Sequence, residues 1–341
     1  MSEEKVGRRG YVKTAAAGII GLGVGAGIGW AAKPVPPKVA KPAEGMYFRL
    51  CTQGEAGDVF FSVVERGMKD ACEELGCGAD FDLSGGDISP QVKALEAAIA
   101  MKADGIAVVI TDDHAFDKPI EDGIKAGVNI IAFDTDDSEG AEGNARLAWV
   151  GQDFRAAGRM VGRRVADLAL ERGWDLSRAH LVMPVEVPGI PYGELRALGI
   201  RDVFEKYGTT SEILDCGGAD LTVIESRESS YLLAHPETKI MIGLGSVVTG
   251  RIMDSMKAAG VSPEDLITSG FDVTPSSLEA IKAGYLQTLV DAQQYLEGYY
   301  AISVLYLMKK YNFRTNVDTG AFLIDKSNIG MFEEGMEKGV R

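Results

Sequence analysis

The residues able to do chemistry in this chain fall into five groups. Asp58 stands two places before Phe60-Phe61, and Asp134 opens the run Asp134-Thr135-Asp136-Asp137. A stretch from Pro188 leads through Tyr192 to Arg196, Asp272 follows Gly270-Phe271, and Asp291 leads into Ala292-Gln293-Gln294-Tyr295. The set consists of carboxylates, amides, aromatics and an arginine, without a convincing nucleophile and base. A carboxylate accepts from two hydroxyls, an arginine donates several bonds in a fixed fork, and an aromatic face covers the C–H side of a sugar ring. Such a set suits recognition of a small neutral polyhydroxyl ligand, and no catalytic residue, metal or cofactor is expected. Each residue also has a plainer alternative. Asp272, ahead of Thr274-Pro275, could cap a helix, and Arg196 could be a solvated helix residue. One of Phe60 and Phe61 must face the core; Phe60 is assigned to the ligand and Phe61 to the core. Tyr295, Tyr299 and Tyr300, at helical spacing, read as packing residues. The coincidence of the groups at successive positions of one architecture favours the functional reading.

That architecture follows from the apolar pattern. From residue 47 short β-branched runs alternate with amphipathic stretches, the signature of parallel α/β layers. Strands at 47–51, 79–83 and 105–110 lead into helices at 60–75, 89–101 and 116–126, and a strand at 129–133 closes the first set. In a second set, strands at 148–150, 180–184, 211–214, 240–243 and 266–271 lead into helices at 154–172, 193–206, 221–234, 247–259 and 276–283. A strand at 288–291 then precedes a long helix at 295–310. Ser89-Pro90 is the expected helix start, a capping residue before a proline at the first helical position. Two series of similar size predict an α/β chain of two doubly wound lobes. All five chemical groups follow strands, where such sheets place their ligands.

Composition sets bounds on the function. The 341 residues carry 35 Lys+Arg against 50 Asp+Glu, a formal charge of −15, and 46% are hydrophobic. Wholesale disorder is excluded, and with no basic stripe after residue 41 a nucleic-acid partner is not expected. The N-terminal 45 residues stand apart. Arg8-Arg9-Gly10-Tyr11 precedes an uncharged run from Ala15 to Ala32, then a stretch with prolines at 34, 36, 37 and 42. Paired arginines before a mild apolar run predict a twin-arginine-type export signal or tether at 1–32 and a Pro-rich linker at 33–45; a transmembrane anchor is the alternative. This segment has no cysteine for lipidation. Gly21-Leu22-Gly23-Val24-Gly25-Ala26 imitates a dinucleotide-binding turn, but the prolines that follow preclude the βαβ unit it needs. Residues 1–45 hold seven Lys/Arg and three Glu, so 46–341 retain 28 bases and 47 acids, a charge of −19. Cys51, Cys72, Cys77 and Cys216 have no metal-binding spacing, and any pairing among them is left open.

Six segments together carry a family resemblance: Phe60-Phe61-Ser62, Ala103-Asp104-Gly105-Ile106, Gly127-Val128-Asn129-Ile130 running into Asp134, Val150-Gly151-Gln152-Asp153 with Ala157-Gly158, Ala234-His235-Pro236-Glu237, and Gly270-Phe271-Asp272. In this order the chain resembles the periplasmic sugar-binding proteins of the ribose- and galactose-binding type, the soluble receptors of ABC importers, from residue 47 to about 324. The resemblance implies a type I periplasmic binding protein whose chain crosses three times between a lobe of 46–152 plus 292–322 and one of 153–291 plus 323–341. It further implies a monosaccharide or polyol held by Asp58, Phe60, Asp134, Arg196, Asp272, and Asp291 or Gln293. Hinge closure would present the loaded, monomeric receptor to a membrane permease, in the periplasm or on the outer face of the cytoplasmic membrane. Two positions depart from the pattern. Gly245-Ser246 stands where the family often has Asn-Asp, and Leu221 where a second aromatic often lies, so a different pentose, a deoxy sugar or a polyol fits as well as ribose or glucose. A nucleoside or furanosyl ligand, or a chemoreceptor partner, is the alternative. A glycoside hydrolase would need an acid and a base about a scissile bond, and a transcription regulator would need a helix-turn-helix ahead of the first strand; neither is present.

Overall fold

A computed structural model describes residues 40–341. The expected export signal and the linker up to residue 39 lie outside the described residues. The chain runs β1 (Tyr47–Thr52), α1 (Val59–Leu75), β2 (Gly78–Leu83), α2 (Ile88–Ala100), β3 (Gly105–Val108), α3 (Asp117–Lys125), β4 (Ile130–Phe133) and β5 (Trp149–Gly151). It continues with α4 (Phe154–Glu171), β6 (His180–Val185), α5 (Pro191–Phe204), β7 (Thr210–Asp215), α6 (Leu221–Ala234), β8 (Thr238–Ile242), α7 (Ser246–Ala259), β9 (Ile267–Ser269) and α8 (Pro275–Ala283). Last come β10 (Leu289–Asp291), α9 (Gln294–Tyr311), β11 (Val317–Asp318), β12 (Phe322–Ile324) and α10 (Gly330–Glu337).

The strands form a six-stranded parallel sheet in the order β11-β5-β4-β3-β1-β2 and a four-stranded parallel sheet in the order β7-β6-β8-β9. β10 and β12 pair antiparallel, and Val290 of β10 bridges to Phe271 just beyond β9. Period-two alternation explains why both sheets are covered on two faces. Ala107, Val109 and Ile131 join the cluster under α1 and α9, while Ile106, Val108, Ile110 and Ile130 join the cluster under α2 and α3. Leu181, Met183 and Ile240 likewise face α4 and α5, whereas Val182 and Met241 face α7 and α8. The α/β reading of the sequence and its doubly wound layers are what the chain adopts.

Two glycine contacts set the helix packing. A side chain on Gly67 of α1 would collide with the backbone at Tyr295, and one on Gly298 of α9 with the backbone of Val64. In α4 and α5, Gly158 lies against the carbonyl of Arg196 and Gly199 against that of Arg155 in the same reciprocal way. These helices touch backbone to backbone, which only residues without a Cβ permit.

Three details refine the sequence reading. α2 begins at Ile88, with Asp87 at the N-cap position but making no side-chain capping bond, so Ser89-Pro90 falls inside its first turn, where the missing proline N–H has no intrahelical partner to lose. Asp272 does not cap α8; Thr274 does, in a capping box with Ser277. Residues assigned to the end of the linker join the fold, since Ala43 is fully buried and its N–H donates to Leu75 O at 2.9 Å. All four cysteines are free thiols, and among the described residues no helix is long and apolar enough to cross a membrane.

Candidate functional site

Arg196, on the first turns of α5, is 3% exposed. Its guanidinium carbon lies 4.2 Å from the ring centroid of Phe271, 4.9 Å from that of Phe154 and 5.5 Å from that of Tyr192. Three rings hold the plane of the cation through quadrupole attraction and exclude water from it. Nη1 donates to Leu244 O at 2.8 Å and Nη2 to Gln152 Oε1 at 3.2 Å. Asp272 Oδ2 lies 3.7 Å from Nη1, forming an ion pair. Arg196 is thus a buried, oriented fork and not a solvated helix residue.

Asp134 and Asp272 occupy equivalent places in the two sheets. Each follows a strand, and each donates its backbone N–H to the neighbouring edge, Asp134 to Val150 O at 2.8 Å and Asp272 to Val290 O at 2.7 Å. Both adopt left-handed backbone, with φ of +56° and +72°, as does Gln293 at +60°. Non-glycine residues seldom sit there, and such strain collects at functional positions. Asp134 is 6% exposed and Asp272 2%. Burial, offset in part by Arg196 and reinforced by Asp272, pushes the Asp134 carboxyl up to about 7. Burial, again opposed by Arg196, pushes Asp272 up to about 6. Oδ1 of Asp272 and Nε of Arg196 are buried without hydrogen-bond partners.

The remaining expected residues are placed as follows. Asp58 caps α1, its Oδ1 accepting from Phe60 N at 2.8 Å and Phe61 N at 3.2 Å, and its charge reaches Asp272. Phe61 is buried in the core under α1, and Phe60 sits half-buried in edge-to-face contact with it. Asp291 is fully buried, with Oδ1 accepting from Gln293 N at 2.9 Å and Oδ2 3.2 Å from Arg341 Nε. Gln293 donates its amide to Thr319 O. The structure therefore brings Asp134, Arg196 and Asp272 together with Asp58 nearby, and turns the side chains of Asp291 and Gln293 toward the chain crossings. Asp136, in the same run as Asp134, is held by Arg146.

Several residues in this neighbourhood were not read from the sequence. Glu186, immediately after β6, accepts from Val247 N at 3.0 Å and Val248 N at 3.2 Å at the start of α7, and from Tyr192 OH at 3.0 Å. A Cβ on Gly245 would strike the Glu186 carboxylate, so the glycine that departs from the family pattern makes room for an acid from the next strand. Glu297 on α9 is fully buried and neither carboxylate oxygen has a partner. Burial, then the charges of Asp134 and Asp272, hold its carboxyl well above the usual range. Gln294, one turn earlier, is 2% exposed with Oε1 unpartnered. Glu186 had a signal, since it follows its strand as Asp134 and Asp272 follow theirs. Glu297 had none, because an acid in a helix reads as solvated. Leu221, where an aromatic was missed, opens α6 half-exposed.

The three crossings meet beside this site. Gln152 Nε2 donates to Gly320 O at 3.1 Å, Thr319 N to Gly151 O at 2.7 Å, and Thr319 Oγ1 to Ala292 O at 3.1 Å. Gln152 also accepts from Arg196, so one amide joins the guanidinium to the crossing strands.

Known proteins share this fold. Residues 52–311 match the family model described as a periplasmic binding protein domain. A xylose/arabinose-binding protein of Sulfolobus acidocaldarius is 29% identical over 284 residues, covering 79% of this chain and 69% of the relative. An ABC sugar transporter (periplasmic sugar binding protein) from Legionella pneumophila superposes with a TM-score of 0.72 at 29% identity, covering 80% of this chain and 99% of the other. A carbohydrate transporter from Acidothermus cellulolyticus, solved in complex with myo-inositol, superposes with a TM-score of 0.77 at 26% identity, covering 87% and 99%. With most of its length matched, the protein belongs to the periplasmic binding protein family, whose members are binding proteins and not enzymes.

Proposed function

We propose that the protein is an extracytoplasmic receptor that binds a monosaccharide or related polyol between the C-terminal edges of its two sheets and delivers it to an ABC permease. The observation that carries the reading is Arg196, a buried cation clamped by three rings and facing acids from both sheets. Buried polar atoms without partners are costly unless something supplies the missing bonds. A polyol offers hydroxyls that donate to Asp272 and accept from Arg196 Nε. The named or bound sugars of relatives, xylose and arabinose in one and myo-inositol in another, are of this chemical kind.

In this reading Asp134, Asp58 and Phe60 hold from a first lobe, 46–152 plus 292–322, and Arg196 and Asp272 from a second, 153–291 plus 323–341. Asp291 and Gln293 shape the crossings through which the lobes hinge. Ligand that touches both lobes only when they are closed stabilises the closed form by its differential affinity. The receptor acts as a monomer, with the twin-arginine-type segment as its route of export. A panel of pentoses, hexoses and inositols tests the reading by thermal unfolding. At a hundredfold excess over Kd, one or a few should raise Tm by about 5 °C and be recovered unchanged. No shift with any of them, or accumulation of product, contradicts it.

A further inference from the structure

The receptor site holds more buried carboxyl groups than its own cations could neutralise if all were ionised, and the surplus is local. Three acids near Arg196 have compensation of their own. Glu186 accepts from two backbone N–H groups at the start of α7 and from Tyr192. Asp58 sits on the N-terminus of α1, and Asp291 faces Arg341. Helix N-termini and a guanidinium are adequate counter-charges for these three. Asp134, Asp272 and Glu297 remain, at 6%, 2% and 0% exposure, with Arg196 as the cation acting on all three. One guanidinium among three buried carboxyl groups leaves two without a counter-charge.

The hydrogen-bond balance leans the same way. Around Arg196, Glu297 Oε1 and Oε2, Asp272 Oδ1, Asp291 Oδ2 and Gln294 Oε1 are buried acceptors without hydrogen-bond partners, against one unpartnered donor there, Arg196 Nε. Glu297 stands on the first turn of α9, just after Asp291 and Gln293, fully buried with both oxygens unpartnered, and the charges of Asp134, Asp272, Arg196 and Asp291 act on it. A hydroxyl brings one donor and an acceptor together, whereas an ammonium brings up to three donors, no acceptor and a full positive charge. In a water-poor site the charge counts most, because an unpaired buried carboxylate must otherwise stay protonated.

We propose that the ligand carries a protonated amine among its hydroxyls, as an amino sugar or imino sugar does, and that Glu297 together with Asp134 receives it while Arg196 and Asp272 hold the hydroxyls. This rests on the sugar-receptor reading and narrows it. Titration calorimetry of the whole protein with D-glucosamine, D-galactosamine and 1-deoxynojirimycin, beside D-glucose, D-galactose and D-xylose, is the test. At least one amine should bind about tenfold or more tighter than the neutral sugars, and Glu297→Gln should remove that advantage. Neutral sugars binding as tightly as the amines overturns the amine while leaving the receptor standing. An amine preference that survives Glu297→Gln in a folded variant overturns the role of Glu297. If Glu297→Gln does not fold, Asp134→Asn must remove the preference instead, and its persistence there overturns the assignment. Failure of every sugar, neutral or basic, overturns the receptor reading itself.

Discussion

At the scale of single residues, the site is a contest between desolvation and one guanidinium. Arg196 lies among three rings with both Nη atoms committed, to Leu244 O and Gln152 Oε1, so it cannot swing out to solvent without giving up those bonds. It lowers the carboxyl pKa values of Asp134 and Asp272, but burial outweighs it and both end above an ordinary aspartate near about 3.9. The sign of the pH dependence follows. Between about pH 4 and about pH 7 the native protein binds more protons at these sites than the unfolded chain does, so stability falls as pH rises. Their contribution is full below the unfolded value and is lost as pH rises through about 6 for Asp272 and about 7 for Asp134. Ligand-free protein should therefore melt higher at pH 5 than at pH 7.5, and Asp134→Asn should flatten the difference; an unchanged slope in that variant contradicts the assignment. The sequence made Asp134, Arg196 and Asp272 legible because each follows a strand or opens a helix in a sheet whose ligands sit at strand ends. It could not show that Asp58 is also a helix cap, or that the amide of Gln293 turns to Thr319, because both depend on which way a side chain rotates.

At the scale of elements, reciprocal glycines position the helices that carry the site. Gly298 brings α9 onto α1, and it is the immediate neighbour of Glu297; Gly199 brings α5 onto α4, one turn beyond Arg196. Gly298→Ala inserts a methyl group where the carbonyl of Val64 already stands. It should cost about 1–3 kcal/mol in denaturant unfolding, the range for overpacking, and should weaken ligand binding by displacing Glu297. A variant as stable as the parent would show that α1 and α9 are not held by backbone contact. The helices and strands of the core were legible to within a few residues, because apolar runs of period two and 3.6 are long and uninterrupted there. β11, β12 and α10 were not, because two- and three-residue strands and a short terminal helix leave no period to read. The start of α2 was misplaced by one residue, because a proline is tolerated anywhere in the first turn and does not mark its first position alone.

At the scale of the whole molecule, two covered parallel sheets share one chain through three crossings, and Gln152 joins those crossings to Arg196. Ligand that engages the guanidinium thereby acts on the segments through which the two halves would move. β11 returns to the first sheet after all of the second has been made. Export belongs to this scale too. Replacing Arg8-Arg9 by Lys-Lys should block delivery of a fused reporter across the cytoplasmic membrane, and normal delivery would return the segment to the anchor reading. The central claim, a non-catalytic receptor for a small polyhydroxyl ligand gripped by Arg196, is tested most directly by calorimetric titration of wild type and Arg196→Ala with the ligand that gives the largest thermal shift. Wild type should show saturable one-site binding with the ligand recovered intact. The variant should lose about 100-fold or more, because the charged hydrogen bonds go and Asp272 is left unpaired. Equal affinity in the two proteins would contradict the account.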